Sequence, residues 1–76
     1  MEFEDLRQGD FVKARVGNER LWFTVLAVVP NAAICTLASK PVGEIYFDGR
    51  CTLDRAWMMD FAPKAVPPKL QLVSSN

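Results

Sequence analysis

The side chains in this chain that could do chemistry are few. There are two cysteines, Cys35 and Cys51, three evenly spaced aspartates, Asp48, Asp54 and Asp60, and several aromatic residues with arginines nearby. Histidine is absent. Its absence removes the commonest general base and the usual Ser–His and Cys–His nucleophile pairs. The aspartates could form a carboxylate pair for acid–base work, but turn and cap roles account for Asp48 and Asp54 without it. The four glycines, Gly9, Gly17, Gly43 and Gly49, are scattered one to a turn, so no phosphate-cradling loop is present. These residues point to a protein that is not an enzyme, with no catalytic set, cofactor or metal.

The cysteines support the same conclusion. Two thiolates without histidine do not complete a zinc site, and there is no C-x-x-C redox motif. Two small buried thiols in a reducing compartment are the expectation. A disulfide would require the strands that carry Cys35 and Cys51 to be neighbours.

Aromatic recognition is the remaining chemistry. Trp22, Tyr46 and Trp57, with Arg20 and Arg55 beside them, are the candidate binding residues. On strands they could line a shallow groove for an extended peptide, or stack bases. Against this, a small domain has few other large groups to bury, so either tryptophan could belong to the core. Glu19–Arg20 also reads as an ordinary cross-strand pair, contributing on the order of 0–1 kcal/mol at an exposed site.

Composition limits the partners. With 76 residues the chain holds one domain, and half of its residues are hydrophobic, which argues against disorder. Nine basic residues balance nine acidic ones. Nucleic-acid binding through phosphates usually shows a basic excess, so nucleic acid is the disfavoured partner and a local patch its remaining route. Zero net charge does little to oppose self-association, so a homo-oligomer or a protein partner is expected. No apolar run approaches the roughly 18 residues of a membrane helix. The acidic start, Met1 to Asp10, has the wrong sign for a signal peptide, so a cytoplasmic protein without a membrane partner is the default expectation.

The elements that must position these residues centre on Glu19 to Val29, the longest apolar stretch, closed by Pro30. Leu21, Phe23, Val25, Ala27 and Val29 share one strand face, and Trp22, Thr24, Leu26 and Val28 the other. A strand apolar on both faces needs cover on both, from a sharp bend, from the tail or from a second subunit. Before it, Phe11 to Val16 alternates as a half-buried strand between Gln8-Gly9-Asp10 and the Gly17-Asn18 hairpin signal. Met1 to Leu6 could be a lead-in strand or one helical turn. After Pro30-Asn31, Ala32 to Ala38 reads as a strand with Ile34, Cys35 and Leu37 buried. Glu44 to Phe47 predicts a fourth strand, ended by Asp48-Gly49, and Cys51-Thr52-Leu53 a short fifth. Asp54-Arg55-Ala56 suits a 3₁₀ turn, and Trp57 to Phe61 a closing strand. The competing reading makes Thr52 to Phe61 helical, since Leu53, Ala56, Trp57 and Asp60 have helical spacing. Residues 63–76 form a proline-rich tail of extended backbone, with Leu70 to Val73 as an optional edge strand. The tail could dock on a partner or strap its own domain.

Five or six short strands with glycine turns predict an all-β fold over residues 1–62, a small antiparallel barrel. The hairpin, the long second strand and a 3₁₀ turn before the closing strand fit the SH3-like barrel best.

Gly17-Asn18-Glu19-Arg20-Leu21-Trp22-Phe23-Thr24-Val25 resembles the central Glu-Arg/His-x-Trp-x-x-Val stretch of a family of small, uncharacterised bacterial proteins. Cys35-Thr36-Leu37-Ala38-Ser39-Lys40-Pro41 matches that family's Gly-x-Leu-x-Asn-x-Pro in length. Asp48-Gly49-Arg50 stands at its Gly-Asp, and Met58-Met59-Asp60-Phe61 at its terminal Asp-Trp or Asp-Phe. The likeness runs from about Gly9 to Ala62. Cys35 departs from the family's glycine, Ser39 from its asparagine, and Arg50 from the aspartate after the glycine. The resemblance implies a compact β-rich fold and no established activity. Taken together, these features predict a non-enzymatic interaction module that self-associates, with a nucleic-acid-binding barrel as the alternative.

Overall fold

Two-residue turns set the register of the molecule. In the computed structural model, which describes residues 1–39 and 49–69, Gly17 has φ 62°. It lies between β1, Phe11–Val16, and β2, Glu19–Val29. A positive φ at the first central residue alone is the pattern of a type II′ turn, which keeps the right-handed twist of a hairpin. The turn pairs Val16 with Glu19 and fixes every later partner, down to Phe11 with Thr24. Pro30-Asn31 makes the next turn, with Asn31 at φ 60°, and β3, Ala32–Leu37, returns along β2. Asparagine tolerates that left-handed conformation better than most side chains.

β4, Arg50–Asp54, pairs with β3, and β5, Met58–Ala62, pairs with β1. Between them Arg55–Trp57 form a 3₁₀ turn, capped where the Ala56 N–H donates to Asp54 Oδ1 at 2.8 Å. The five antiparallel strands form one sheet in the order β4-β3-β2-β1-β5. With the 3₁₀ turn before the last strand, this is a small SH3-like barrel. The helical reading of Thr52 to Phe61 is overturned. Pairing with β3 and β1 satisfies the backbone there, and tertiary contacts override the weak helical spacing.

The core is built from alternate residues of each strand. Val12, Ala14, Leu21, Phe23, Val25, Ala33, Cys35 and Leu53 are buried, and Leu6 joins them from the N-terminal segment. Ile34, expected inside, is half-buried outside this cluster, because alternation gives the inward positions of β3 to Ala33 and Cys35. The double-faced β2 is relieved by a bulge. The register shifts between Val25 and Ala27, leaving Leu26 as an extra residue opposite Cys35 and Ile34. A bulge bends its strand and increases its twist. Trp22 and Leu26 are half-buried, while Val28 and Val29 stay exposed at the hairpin end.

The N-terminal segment is a helical turn, Phe3–Asp5, rather than a strand. Asp10 holds the two ends of the barrel together. Its buried carboxylate accepts the Arg7 N–H at 2.9 Å through Oδ2 and the Lys64 N–H at 2.8 Å through Oδ1. That capture accompanies a turn at the start of the tail, where the Val66 N–H donates to the Pro63 carbonyl at 3.0 Å. The turn replaces the extended backbone that the prolines predict for this stretch. The predicted strand Glu44 to Phe47, with Tyr46, and the optional strand Leu70 to Val73 lie outside the described residues. Among the described residues, no helix is long and apolar enough to cross a membrane.

Candidate functional site

The β1–β2 hairpin brings together charges that are separated in sequence. Because the Gly17-Asn18 turn pairs Val16 with Glu19, the pairs that follow are Arg15 with Arg20, then Ala14 with Leu21 on the core face, then Lys13 with Trp22 on the same face as the arginines. Directly opposed residues share a sheet face, with Cβ atoms about 4.5–5.5 Å apart. The two guanidinium side chains are exposed, and neither is in an ion pair with a described residue. Next to them the Lys13 ammonium sits 6.0 Å from the centroid of the Trp22 ring, a cation–π distance. Lys13 also lies opposite Asp60 of β5, which tempers its charge.

A pocket of about 360 Å³ opens beside this basic strip, lined by Arg15, Val16 and Gly17 of the hairpin, Cys51, Thr52 and Leu53 of β4, and Trp57. Its walls come from distant parts of the chain and depend on the 3₁₀ turn, which delivers Trp57 beside the end of β1. Trp57 is 51 % exposed, well above what packing requires of so large a ring. The pocket combines one cation with aromatic and aliphatic walls, and so favours an apolar group that carries or adjoins a negative charge.

The sequence-predicted residues divide among three places. Trp57 stands in the pocket. Trp22 is half-buried on β2 outside the pocket wall, and its backbone is tied down, with its N–H donating to Ser39 Oγ at 2.9 Å and its carbonyl accepting from Ala38. Arg20 reaches the site as Arg15's cross-strand partner. Arg55 is engaged elsewhere, paired with Glu4 and stacked on Phe3 at 4.8 Å. Tyr46 lies outside the described residues. The residues sequence reasoning passed over are Arg15 and Lys13. A signal for them exists in the chain itself, since a two-residue turn at Gly17-Asn18 by its length alone sets Arg15 opposite Arg20.

The cysteines are both thiols, and Cys35 and Cys51 are register partners across β3 and β4. Burial pushes the Cys35 thiol up to about 12, with the nearby Cys51 adding to the effect, and burial also raises Cys51. Both are therefore protonated at neutral pH and poor nucleophiles there. Among the described residues, no group of three or more potential metal ligands converges. No family model matches the chain, and no curated protein or solved structure is significantly similar to it.

Proposed function

We propose that this chain is a non-enzymatic protein-interaction module that self-associates through the Arg15–Arg20 strip and the Trp57 pocket. The observation that carries the reading is the cross-strand Arg15–Arg20 pair, in an ion pair with no described residue, beside a half-exposed tryptophan. Tryptophan and arginine are the residue types most enriched at the energetic centres of interfaces. The favoured occupant is a short polypeptide segment with carboxylates and an apolar anchor.

A second copy of the chain offers such a segment. The exposed Glu2 and Asp5 form an acidic N-terminal turn with Glu4, which is already paired with Arg55, and with Phe3, which is half-buried against the core. A basic strip on the hairpin and an acidic turn at the N-terminus give a molecule of zero net charge two surfaces of opposite sign. Such complementarity steers encounter and fixes orientation more than it adds raw affinity, so affinity would come from covering Trp57. The test uses a Trp22→Phe variant, which leaves Trp57 as the sole tryptophan. Concentrating it at low ionic strength should shift Trp57 emission to the blue as the ring is covered. Emission independent of concentration rejects the reading.

The Lys13–Trp22 contact favours a second reading, a surface for single-stranded nucleic acid, in which a base stacks on Trp22 while Lys13, Arg15 and Arg20 hold phosphates. It predicts quenching of Trp22 emission by a single-stranded oligonucleotide, lost as salt is raised. No quenching at low salt rejects it.

A further inference from the structure

The pairing of Cys35 with Cys51 goes beyond the docking surface. The register between β3 and β4 runs without a shift from Ala32–Asp54 to Thr36–Arg50 and places the two cysteines directly opposite each other. The kind of pair also follows. The Arg55 N–H donates to the Asn31 carbonyl at 2.9 Å, one step beyond the end of that register. Hydrogen-bonded pairs recur at every second position of an antiparallel ladder. Counting in twos from Asn31–Arg55 reaches Ala33–Leu53 and then Cys35–Cys51. Residues in such a pair have Cα atoms about 5.5 Å apart, close to the commonest separation for disulfide-bonded cysteines, about 5.5–6 Å.

Opposed residues point to the same face, and both thiols do belong to the core side: Cys35 is fully buried and Cys51 is half-buried against the same cluster. Their accessibility differs. Cys51 lines the 360 Å³ pocket, whereas Cys35 does not. One thiol therefore has a route to a small reagent, and the other has only its neighbour.

We propose that Cys51 and Cys35 form a thiol–disulfide exchange site, in which Cys51 takes up a low-molecular-weight disulfide through the pocket and Cys35 resolves the adduct to a β3–β4 cross-link. The Cys51 thiolate, formed by loss of its proton, attacks one sulfur of oxidised glutathione. The S–S bond of the reagent breaks, one glutathione thiolate leaves, and a mixed disulfide forms on Cys51. Cys35 then loses its proton and attacks the Cys51 sulfur. The mixed disulfide breaks and the second glutathione thiolate leaves. Overall, two protein thiols are oxidised to one disulfide and one oxidised glutathione is reduced to two glutathione thiols. The raised thiol pKa values make exchange slow at neutral pH and faster as pH rises.

The full chain, folded, should be incubated with oxidised glutathione at mildly alkaline pH, quenched with acid and read by intact mass and peptide mapping. The expected product is a monomeric chain lighter by two hydrogens, mapped as Cys35–Cys51, with two glutathione thiols released per chain. Cys35→Ala should stop at a single glutathione adduct on Cys51. Cys51→Ser should consume oxidant slower by roughly tenfold or more, since only the buried thiol remains. A folded wild-type chain that stays a dithiol while its urea-unfolded form oxidises overturns the proposal, and so does a wild-type adduct on Cys51 that never resolves. Both of these outcomes are read on the wild-type chain, so they decide the matter even if Cys35→Ala fails to fold.

Discussion

Arg15 and Arg20 face each other across the β1–β2 ladder, and neither is in an ion pair with a described residue. Like charges directly opposed on a sheet are destabilising by a few tenths of a kcal/mol up to about 1 kcal/mol. The arrangement concentrates positive potential at the edge of an apolar pocket while the molecule as a whole is neutral. In the proposed docking surface, stability and binding therefore make opposite demands on this pair.

Arg15→Glu separates the two demands. It replaces a repulsive cross-strand pair by an attractive one, so urea unfolding should show a gain of about 0.5–1 kcal/mol. The same variant should lose self-association, because its pocket now repels carboxylates. A variant that is both less stable and equally associated would contradict the assignment.

Trp57→Ala should affect binding far more than folding. The ring is 51 % exposed, so chemical denaturation should register a loss of no more than about 1 kcal/mol. Association should weaken by about 2 kcal/mol, roughly thirtyfold, as for an interface anchor. Equal losses in both measurements would make Trp57 a packing residue.

Asp10→Ala tests the closure between the first turn and the chain beyond β5. The carboxylate accepts two backbone N–H groups, from Arg7 and Lys64, in a buried position. Hydrogen bonds to a charged acceptor contribute about 1.5–3 kcal/mol each, with incomplete additivity. Urea denaturation should show a loss of about 3 kcal/mol, and limited proteolysis should cut first near Lys64. A change under about 1 kcal/mol would mean that the tail is held by other contacts.

Much of this is legible in the sequence, for identifiable reasons. Alternation from Phe11 to Val16, the Gly17-Asn18 turn and the Asp54 cap are local signals, and the strands and the 3₁₀ turn follow them. The pocket is not legible, because Cys51, Trp57 and Arg15 meet only once β4, the 3₁₀ turn and the hairpin are packed together. Arg55 misleads for a similar reason. Its sequence neighbours are aromatic, but the ring it stacks on, Phe3, belongs to the far end of the chain. The bulge at Leu26 likewise depends on β2 meeting β3, and no residue type announces it.

Alkaline pH should weaken the fold through Cys35. Its thiol is pushed from 9.0 up to about 12 by burial, so below about pH 9 both folded and unfolded chains keep the proton and its contribution is constant. As pH rises from 9.0 toward about 12 the unfolded chain releases the proton first, and stability falls by about 1.4 kcal/mol per pH unit. Urea midpoints measured across that window should decline, and Cys35→Ala should flatten the slope. An unchanged slope in the variant would assign the decline to other groups.

Sedimentation velocity at micromolar concentration, with the wild type and Arg15→Glu compared at low and high salt, tests the central claim most directly. The wild type should sediment as an associated species at low salt and as a monomer at high salt, with Arg15→Glu monomeric in both. A wild-type chain that is monomeric at low salt, or an associated species indifferent to both salt and Arg15→Glu, would contradict the assignment of the Arg15–Arg20 strip as the docking surface.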